Sequence, residues 1–382
     1  MNLFDVYPLI PVTPVKAEGA KLWDDQGQEY LDLYGGHAVI SIGHTHPHYV
    51  KRIQDQLNQI AFYSNSIQIP IQKQYAEKLG ELSGYPDYSL FLCNSGAEAN
   101  ENAIKLASFS TGKSGFISFS GAFHGRTSGA VALTDNPKIV APCNAREDFE
   151  ILHWGDLQAV ELRVKQGNIA GIIIEGIQGV GGIQVPSPEF LTGLANICKD
   201  FGVKLILDEV QSGFGRTGKF FAHQWVKNIK PDIISMAKGM GNGFPIGGIL
   251  ISPDFKSSYG LLGTTFGGNH LACAAGMAVL EVLEAENLIQ KSAELGAKVM
   301  EELKHIPGII DIRGNGLMIG IDLDREAGPV RSELVKKYHI FTGSAASSNT
   351  IRLLPPLNIE WNQLNSFISA LTQILAQSPI LK

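Results

Sequence analysis

The sequence predicts an α/β protein, with a large domain around a mostly parallel sheet joined to a smaller α+β unit. Three observations point there. Between about residues 86 and 250, short apolar runs alternate with helix-like stretches, the order that builds strand–helix–strand units. Several of those runs lack polar alternation, as strands buried on both faces do. The segment from residue 306 onward reads as a second, compact strand–helix–strand–helix unit, and a chain of 382 residues can accommodate both.

The chain opens with Pro8, Pro11 and Pro14, which favour an extended arm over a helix. AKLWDDQGQEYLDLYGG reads as a hairpin turning at DDQG. GHTHPH follows, with three histidines at alternate positions. No acidic or cysteine cluster accompanies them, and Pro47 reads as the first residue of a helix, so a structural role is preferred to metal binding. Residues 47–60 and 71–83 have the pattern of two amphipathic helices.

A short strand at 89–93 leads into NSGAEANENAIKLA, helical from Ala97. Ser95, Gly96 and Ala97 would place a hydroxyl and free N–H groups at a helix N-terminus, which suits a phosphate. An ordinary serine cap with Glu98 in the first turn accounts for the same residues. GFISFSGAFHGRT gives a strand followed by Phe123, able to stack on a planar ring, and Arg126, able to clamp a carboxylate; core packing and a surface charge are the alternatives. The run at 171–174 ends in a carboxylate, Glu175, and residues 188–200 read as a helix.

The runs at 203–207 and 233–237 end in Asp208 and Lys238. In an open parallel sheet, ligands sit beyond the carboxyl ends of the strands. A lysine there can form a Schiff base with a carbonyl group. An acid on an adjoining strand can hold a protonated ring nitrogen. A strand-end ion pair between the two explains the same placement, and this stretch alone leaves both readings open. GMGNG, after Lys238, lacks the strand-first context of a dinucleotide fingerprint. Thr264 and Thr265, in a Gly/Thr-rich loop before a long helix, are caps or anion donors. A further helix runs to about residue 303. DIRGNGLMIGIDL, VRSELVKKYHI, NTIRLLPPLNI and WNQLNSFISALTQILAQS then read as strand, helix, strand and helix.

A formal charge of -6 with no basic tract argues against nucleic-acid binding. Cys93, Cys143, Cys198 and Cys273 match no zinc spacing and suggest no disulfide framework. No run reaches membrane-spanning length, and MNLFDVYPLIPVTP makes a poor signal peptide, so no membrane and a cytoplasmic location are expected.

NSGAEANENAIK, FHGRT, LDEVQSGFGRTG, AKGMGNGFPIGG and TTFGGN, in that order, give the chain a resemblance over essentially its whole length. It resembles the class III pyridoxal-phosphate aminotransferases of fold type I, and within them the acetylornithine and N-succinylornithine transaminases of arginine biosynthesis. The resemblance implies an arm and hairpin at 1–50 belonging with the small domain, a cofactor-binding domain at 51–305 and a C-terminal small domain at 306–382.

It also implies roles for particular residues. Lys238 resembles the lysine that holds pyridoxal 5′-phosphate and shuttles the proton, and Asp208 the carboxylate opposite the ring nitrogen. Gln211 resembles the residue reaching the ring's phenolic oxygen, and Phe123 the plate on the ring face. Ser95, Gly96 and Ala97 resemble the phosphate cup, completed by Thr265 of the partner subunit in a homodimer. Glu175 resembles the strand-end carboxylate on the substrate side. Tyr7 and Arg126 resemble the pair that positions the distal carboxylate of an ω-amino substrate, and Arg352 the arginine that receives the α-carboxylate of 2-oxoglutarate or glutamate. The reaction implied converts the terminal amine of an N-acylated ornithine to a semialdehyde. Ornithine, 4-aminobutyrate, lysine and diaminobutyrate transaminases share the same constellation.

One departure stands out. Where many members of the family read EPIQGEGG, this chain reads EGIQGVGG, so Val180 replaces a glutamate that would pair with Arg352. Either another group covers Arg352 or the donor brings an extra acid, as a succinyl group would. His37, in YGGHAV, is a further candidate for substrate selection.

Overall fold

The computed structural model describes residues 1–377. Its centre is a seven-stranded sheet ordered Ser89–Cys93, Gly247–Ile251, Ile233–Met236, Lys204–Asp208, Ile169–Glu175, Gly115–Phe119, Phe149–Leu152. Gly247–Ile251 runs antiparallel to both neighbours, and every other pairing is parallel. This is the mostly parallel sheet of fold type I that the sequence led us to expect.

The unbroken apolar runs follow from burial on both faces. Ile172 and Ile174 pack with Phe190 and Leu194 of the helix Pro188–Phe201. Ile173, Phe116 and Ile206 pack on the other side with Ala99, Ala103 and Ala107 of the helix Gly96–Thr111. Successive strand residues thus face opposite layers, and each fully buried isoleucine contributes about 1.5–3 kcal/mol by leaving water.

Register sets the chemistry's location. Glu175 lies opposite Asp208, and Asp208 opposite Ser235, so the carboxyl ends of these strands are level. Ala237 and Lys238 follow within two residues of Met236. Cys93 pairs with Gly247 near the same edge, and the helix Gly96–Thr111 starts there.

The expected hairpin forms from Lys21–Asp24 and Glu29–Asp32. Pro14–Glu18 extends it on one side, and Ile340–Phe341 pairs parallel to Glu29–Asp32 on the other, tying the start of the chain to its C-terminal segment. That segment contains an antiparallel sheet ordered Ile309–Asn315, Met318–Leu323, Thr350–Leu353, Gly343–Ser344, with the helices Ala327–Tyr338 and Trp361–Ala376. Here one expectation is corrected. DIRGNGLMIGIDL is a two-stranded hairpin, not one strand, because Gly314 and Gly316 take φ of 131° and 52° and reverse the chain.

Pro47 does begin a helix, Pro47–Leu57, and each histidine of GHTHPH has a carboxylate partner: His44 with Asp32, His46 with Glu286, His48 with Glu281. Among the described residues no helix is long and apolar enough to cross a membrane.

Candidate active site

A cavity of about 410 Å³ opens at the carboxyl edge of the large sheet. Ser95, Gly96, Ala97, Phe123, Arg126, Glu175, Asp208, Gln211 and Lys238 all line it. They come from separate loops because the fold delivers several strand ends to one edge.

At one end lies the start of the helix Gly96–Thr111. Ser95 caps it, its hydroxyl accepting from the Glu98 N–H at 3.2 Å, while the Glu98 carboxylate accepts from the Asn94 N–H at 2.6 Å. The ordinary cap reading is therefore correct. It is also incomplete, because the N–H groups of Gly96 and Ala97 are out of reach of any carbonyl of their own helix. A Cβ on Gly96 would stand 2.6 Å from Val210 Cγ1, so only glycine lets the helix begin this close to the strand-end loop. Free N–H groups, a hydroxyl and the positive end of the helix dipole suit a phosphate.

Asp208 is buried, and its oxygens are already engaged. Oδ2 accepts from Asn100 Nδ2 at 2.8 Å and His124 Nδ1 at 2.7 Å, and Oδ1 accepts from the Val210 N–H at 3.0 Å. Among the described residues no ion pair involves Lys238. The strand-end ion pair that explained both residues equally well in sequence does not form. Asp208 is satisfied by other donors, and Lys238 turns out of the strand with a left-handed φ of 48°. Burial pushes the Lys238 amine below its ordinary pKa, against the pull of Asp208 and Glu175 and with a further push from Arg352. An enclosed amine without a partner is poised to attack a carbonyl carbon.

Glu175 accepts from the Phe123 N–H at 3.0 Å and the Gly179 N–H at 2.9 Å. Burial raises its carboxyl to about 7, with His124 pulling it down and Asp208 pushing it up. The donor set fits pyridoxal phosphate: unpaired N–H groups for the phosphate, a fixed carboxylate for the ring nitrogen and a free amine for the carbonyl.

Arg352, on Thr350–Leu353, is 3% exposed and lies behind Gln211. Its Nε donates to the Ser344 carbonyl at 2.5 Å and its Nη1 to Gln211 Oε1 at 3.4 Å; among the described residues it has no carboxylate partner. Burial lowers its pKa, opposed by Tyr34 and Glu175. Arg352 is thus met by neutral acceptors. The loop bearing Val180 is used otherwise: the Val180 carbonyl accepts from the Ala346 N–H at 2.9 Å, and the Gly182 carbonyl from Arg313 Nε at 2.8 Å. A Cβ on Gly179 would fall 1.9 Å from Gln211 Oε1, so that glycine is what admits the Gln211 side chain.

Residues 35–38 form a left-handed turn, with φ of 56°, 55°, 68° and 64°. His37 and Ala38 carry a steric cost there that glycine would not. Asp32 Oδ1 holds the turn through the N–H groups of Tyr34 and Gly35, and Gln211 Nε2 donates to the His37 carbonyl at 3.1 Å. The His37 ring contacts the Tyr34 hydroxyl through Nδ1. Burial lowers the His37 pKa, with Lys238 and Arg352 adding to the effect, so His37 stands within electrostatic reach of both.

Tyr7, His37, Val180, Thr265 and Arg352 are not among the residues that line the cavity: Tyr7 is 73% exposed in the arm, Thr265 is exposed in its loop, and Arg352 meets the cavity wall through Gln211. Three residues of consequence escaped the reading of the sequence: Asn100, His124 and Tyr34. Asn100 had a signal, since an asparagine one residue from Ala99 and three from Ala103 lies on the buried face of an otherwise apolar helix stripe.

Comparison with known proteins agrees with this geometry. The family model for class-III aminotransferases matches residues 5–375. The acetylornithine aminotransferase of Bacillus subtilis is 38% identical, covering 98% of each chain, and that of Halalkalibacterium halodurans is 40% identical, covering 99% of each. Among solved structures, the ornithine aminotransferase of Toxoplasma gondii superposes with a TM-score of 0.90 at 28% identity, over 97% of this chain and 91% of that one. A second structure of that enzyme, at 29% identity and a TM-score of 0.89 over 96% of this chain and 91% of that one, has PLP at partial occupancy in its active site.

Proposed function

This chain belongs to the class-III aminotransferases, and from that premise we propose that it moves the terminal amino group of an N-acylated ornithine, acetyl or succinyl, to 2-oxoglutarate. The products are a semialdehyde and glutamate, the setting arginine biosynthesis in the cytoplasm, and the working unit a homodimer. The observation that carries the reading is Lys238, an enclosed amine with no ion-pair partner, facing a carboxylate that other residues hold in place. Full-length identity to acetylornithine aminotransferases supports the acylated donor over free ornithine.

Pyridoxal phosphate, when bound, supplies an electron sink for the charge left on the substrate carbon. Ser95, Gly96 and Ala97 would hold its phosphate, completed in a homodimer by a threonine, Thr265, of the second subunit. Asp208, fixed by Asn100 and His124, would keep a ring nitrogen protonated, and Phe123 and Gln211, which line the same cavity, would hold the ring in place. Lys238 would anchor the cofactor through its amine and would be the group that moves the proton at the substrate carbon. Arg126, at the cavity wall, would orient the donor's distal carboxylate, with Glu175 on the substrate side, and Tyr7 would join them only if the arm folds over the site when the donor binds. Arg352 receives the α-carboxylate of the oxo acid, with bidentate geometry available to its guanidinium. Val180 and His37 shape the wall that selects the donor.

The test is a single-turnover spectrum of the cofactor-loaded protein with N-acetylornithine, N-succinylornithine, ornithine, 4-aminobutyrate and lysine. The proposal expects an acylated ornithine to react fastest, and a faster reaction with any of the other three would overturn it. Sedimentation at low concentration tests the dimer.

A further inference from the structure

We infer, on the role proposed for Lys238 above, that Ser41 and Asn242 are positioning residues for that lysine, clasping its loop to residues 41–43 near the start of the chain. Lys238 stands beyond the strand Ile233–Met236, at the start of the short turn Lys238–Met240, so no sheet partner fixes its backbone. Its φ is 48°, and Asn242 and Gly243 take 46° and 104°. Lysine and asparagine are strained at such angles, and the shape persists only where surrounding contacts hold it. Within the turn, the Met240 N–H donates to the Ala237 carbonyl at 3.0 Å and the Gly241 N–H to the Lys238 carbonyl at 3.1 Å. These two bonds close the turn but tie it to nothing outside.

The outside ties come from residues 192 to 201 positions earlier in the chain. Ser41 Oγ donates to the Gly239 carbonyl at 2.7 Å, fixing the backbone next to Lys238. Asn242 Oδ1 accepts from the N–H groups of Ser41 and Ile42 at 2.8 and 3.1 Å, and its Nδ2 donates to the Gly43 carbonyl at 2.9 Å. The Tyr49 hydroxyl, on the helix Pro47–Leu57, donates to the Gly241 carbonyl at 2.8 Å. Ser41 and Asn242 are both buried, so water does not compete for these bonds. Neither residue lines the cavity at the sheet edge, so an effect of either on the chemistry passes through Lys238.

Residues 40–43 are in turn held from the other side. The Ser41 carbonyl accepts from the Leu357 N–H at 2.7 Å, and the Ile40 carbonyl from Arg216 Nη2 at 3.3 Å. Arg216, itself buried, also donates to the carbonyls of Leu317 and Pro355 in the C-terminal segment. The lysine loop is thereby braced against the small unit and not by its own sheet alone. An amine that serves a cofactor carbonyl and a substrate carbon in turn must keep its place, and a displacement of about 1 Å can cost about 100-fold in rate. Loss of the clasp should therefore lower the rate at saturation and leave substrate affinity, set by other residues, nearly unchanged.

The test uses the full-length, cofactor-loaded protein and two variants. Ser41→Ala deletes one hydroxyl, and Asn242→Gly deletes the acceptor while tolerating the left-handed φ. Hydrogen exchange read by mass spectrometry should be about tenfold faster at the Met240 and Gly241 amides in both variants, with the strand Lys204–Asp208 as in the parent. Rapid mixing with L-glutamate, followed in the cofactor's absorbance, should give a limiting rate about 10- to 100-fold below the parent and a half-saturating concentration within about twofold of it. Glutamate is used because its reaction does not depend on which ω-amine is the donor. Parental exchange at residues 238–241 in Ser41→Ala, or a parental limiting rate there, would overturn the proposal. So would a raised half-saturating concentration at an unchanged limiting rate. A parent inert to glutamate would refute the proposed reaction instead, and the exchange result alone would then decide whether the clasp holds the loop.

Discussion

Asp208 and Arg352 carry opposite charges at two sides of one site, and the chain treats them in opposite ways. Asp208 receives three donors from its own chain, so its position is fixed before any ligand arrives. Arg352 is as deeply buried but its hydrogen-bond acceptors are a carbonyl and an amide oxygen, with the Tyr34 ring 6.0 Å from its guanidinium. Burying a charge without a counter-charge is expensive, and a permanent carboxylate would relieve the cost. It would also compete with an anionic substrate. The difference teaches how the fold divides its charges: Asp208 is held by three donors of its own chain, and Arg352 is left with neutral acceptors, as the proposed reading of a resident cofactor at one end and an exchanging oxo acid at the other would require.

The comparison can be broken most sharply at Lys238. Lys238→Ala should stay folded yet lose turnover by about 10⁴-fold or more, since one amine anchors the cofactor and moves the proton. Borohydride reduction followed by peptide mass mapping should find the cofactor on Lys238 in the parent; retained turnover in the variant would remove the residue from its role. The next largest effect is on stability, and it has opposite signs at the two ends. His124→Leu strips a donor from the Asp208 carboxylate and should cost about 1–3 kcal/mol in chemical denaturation. Arg352→Met removes an uncompensated charge and should leave stability unchanged or raised. Equal losses in the two variants would erase the contrast.

Glu175 gives a pH signature. Its carboxyl is raised to about 7 from an ordinary 4.5, so between those values the folded chain holds a proton that the unfolded chain releases. That contribution to stability is fully present below pH 4.5 and is lost as pH rises through 7. The cofactor-free protein should therefore lose melting temperature between pH 5 and 8 relative to Glu175→Gln, and parallel curves would contradict the assignment. The smallest effect is expected at Val180→Glu. A carboxylate near Arg352 should shift donor preference a few-fold, by about 1 kcal/mol, toward donors without an extra acid. An unchanged ratio of N-acetylornithine to N-succinylornithine turnover would exclude the position from selection.

Much of this was legible in the sequence. The strands ending at Glu175 and Asp208 were visible because burial on both faces removes polar residues from the run, and the charge that follows marks the edge. At the start of the helix Gly96–Thr111 the cap was legible and is observed, and it is compatible with the proposed phosphate site, since a cap on the third N–H leaves the first two free. The hairpin at Asn315–Met318 was missed because glycine φ values, unlike glycines, are not written in a sequence. The partners of Arg352 were out of reach for a related reason. Ser344 acts through its backbone carbonyl, and Gln211 is separated from Arg352 by 141 positions. The left-handed turn at 35–38 is carried only partly by glycine and depends on Asp32 and Gln211 to hold it.

The most direct measurement is a rapid-mixing comparison of the two half-reactions in the parent and in Arg352→Gln, with an N-acylated ornithine as donor and 2-oxoglutarate as acceptor. An arginine kept free for the oxo acid predicts that the donor half-reaction proceeds at nearly the parental rate, while the 2-oxoglutarate half-reaction loses about 10- to 100-fold in specificity constant. Equal impairment of both halves, or an unaffected reaction with 2-oxoglutarate, would contradict it.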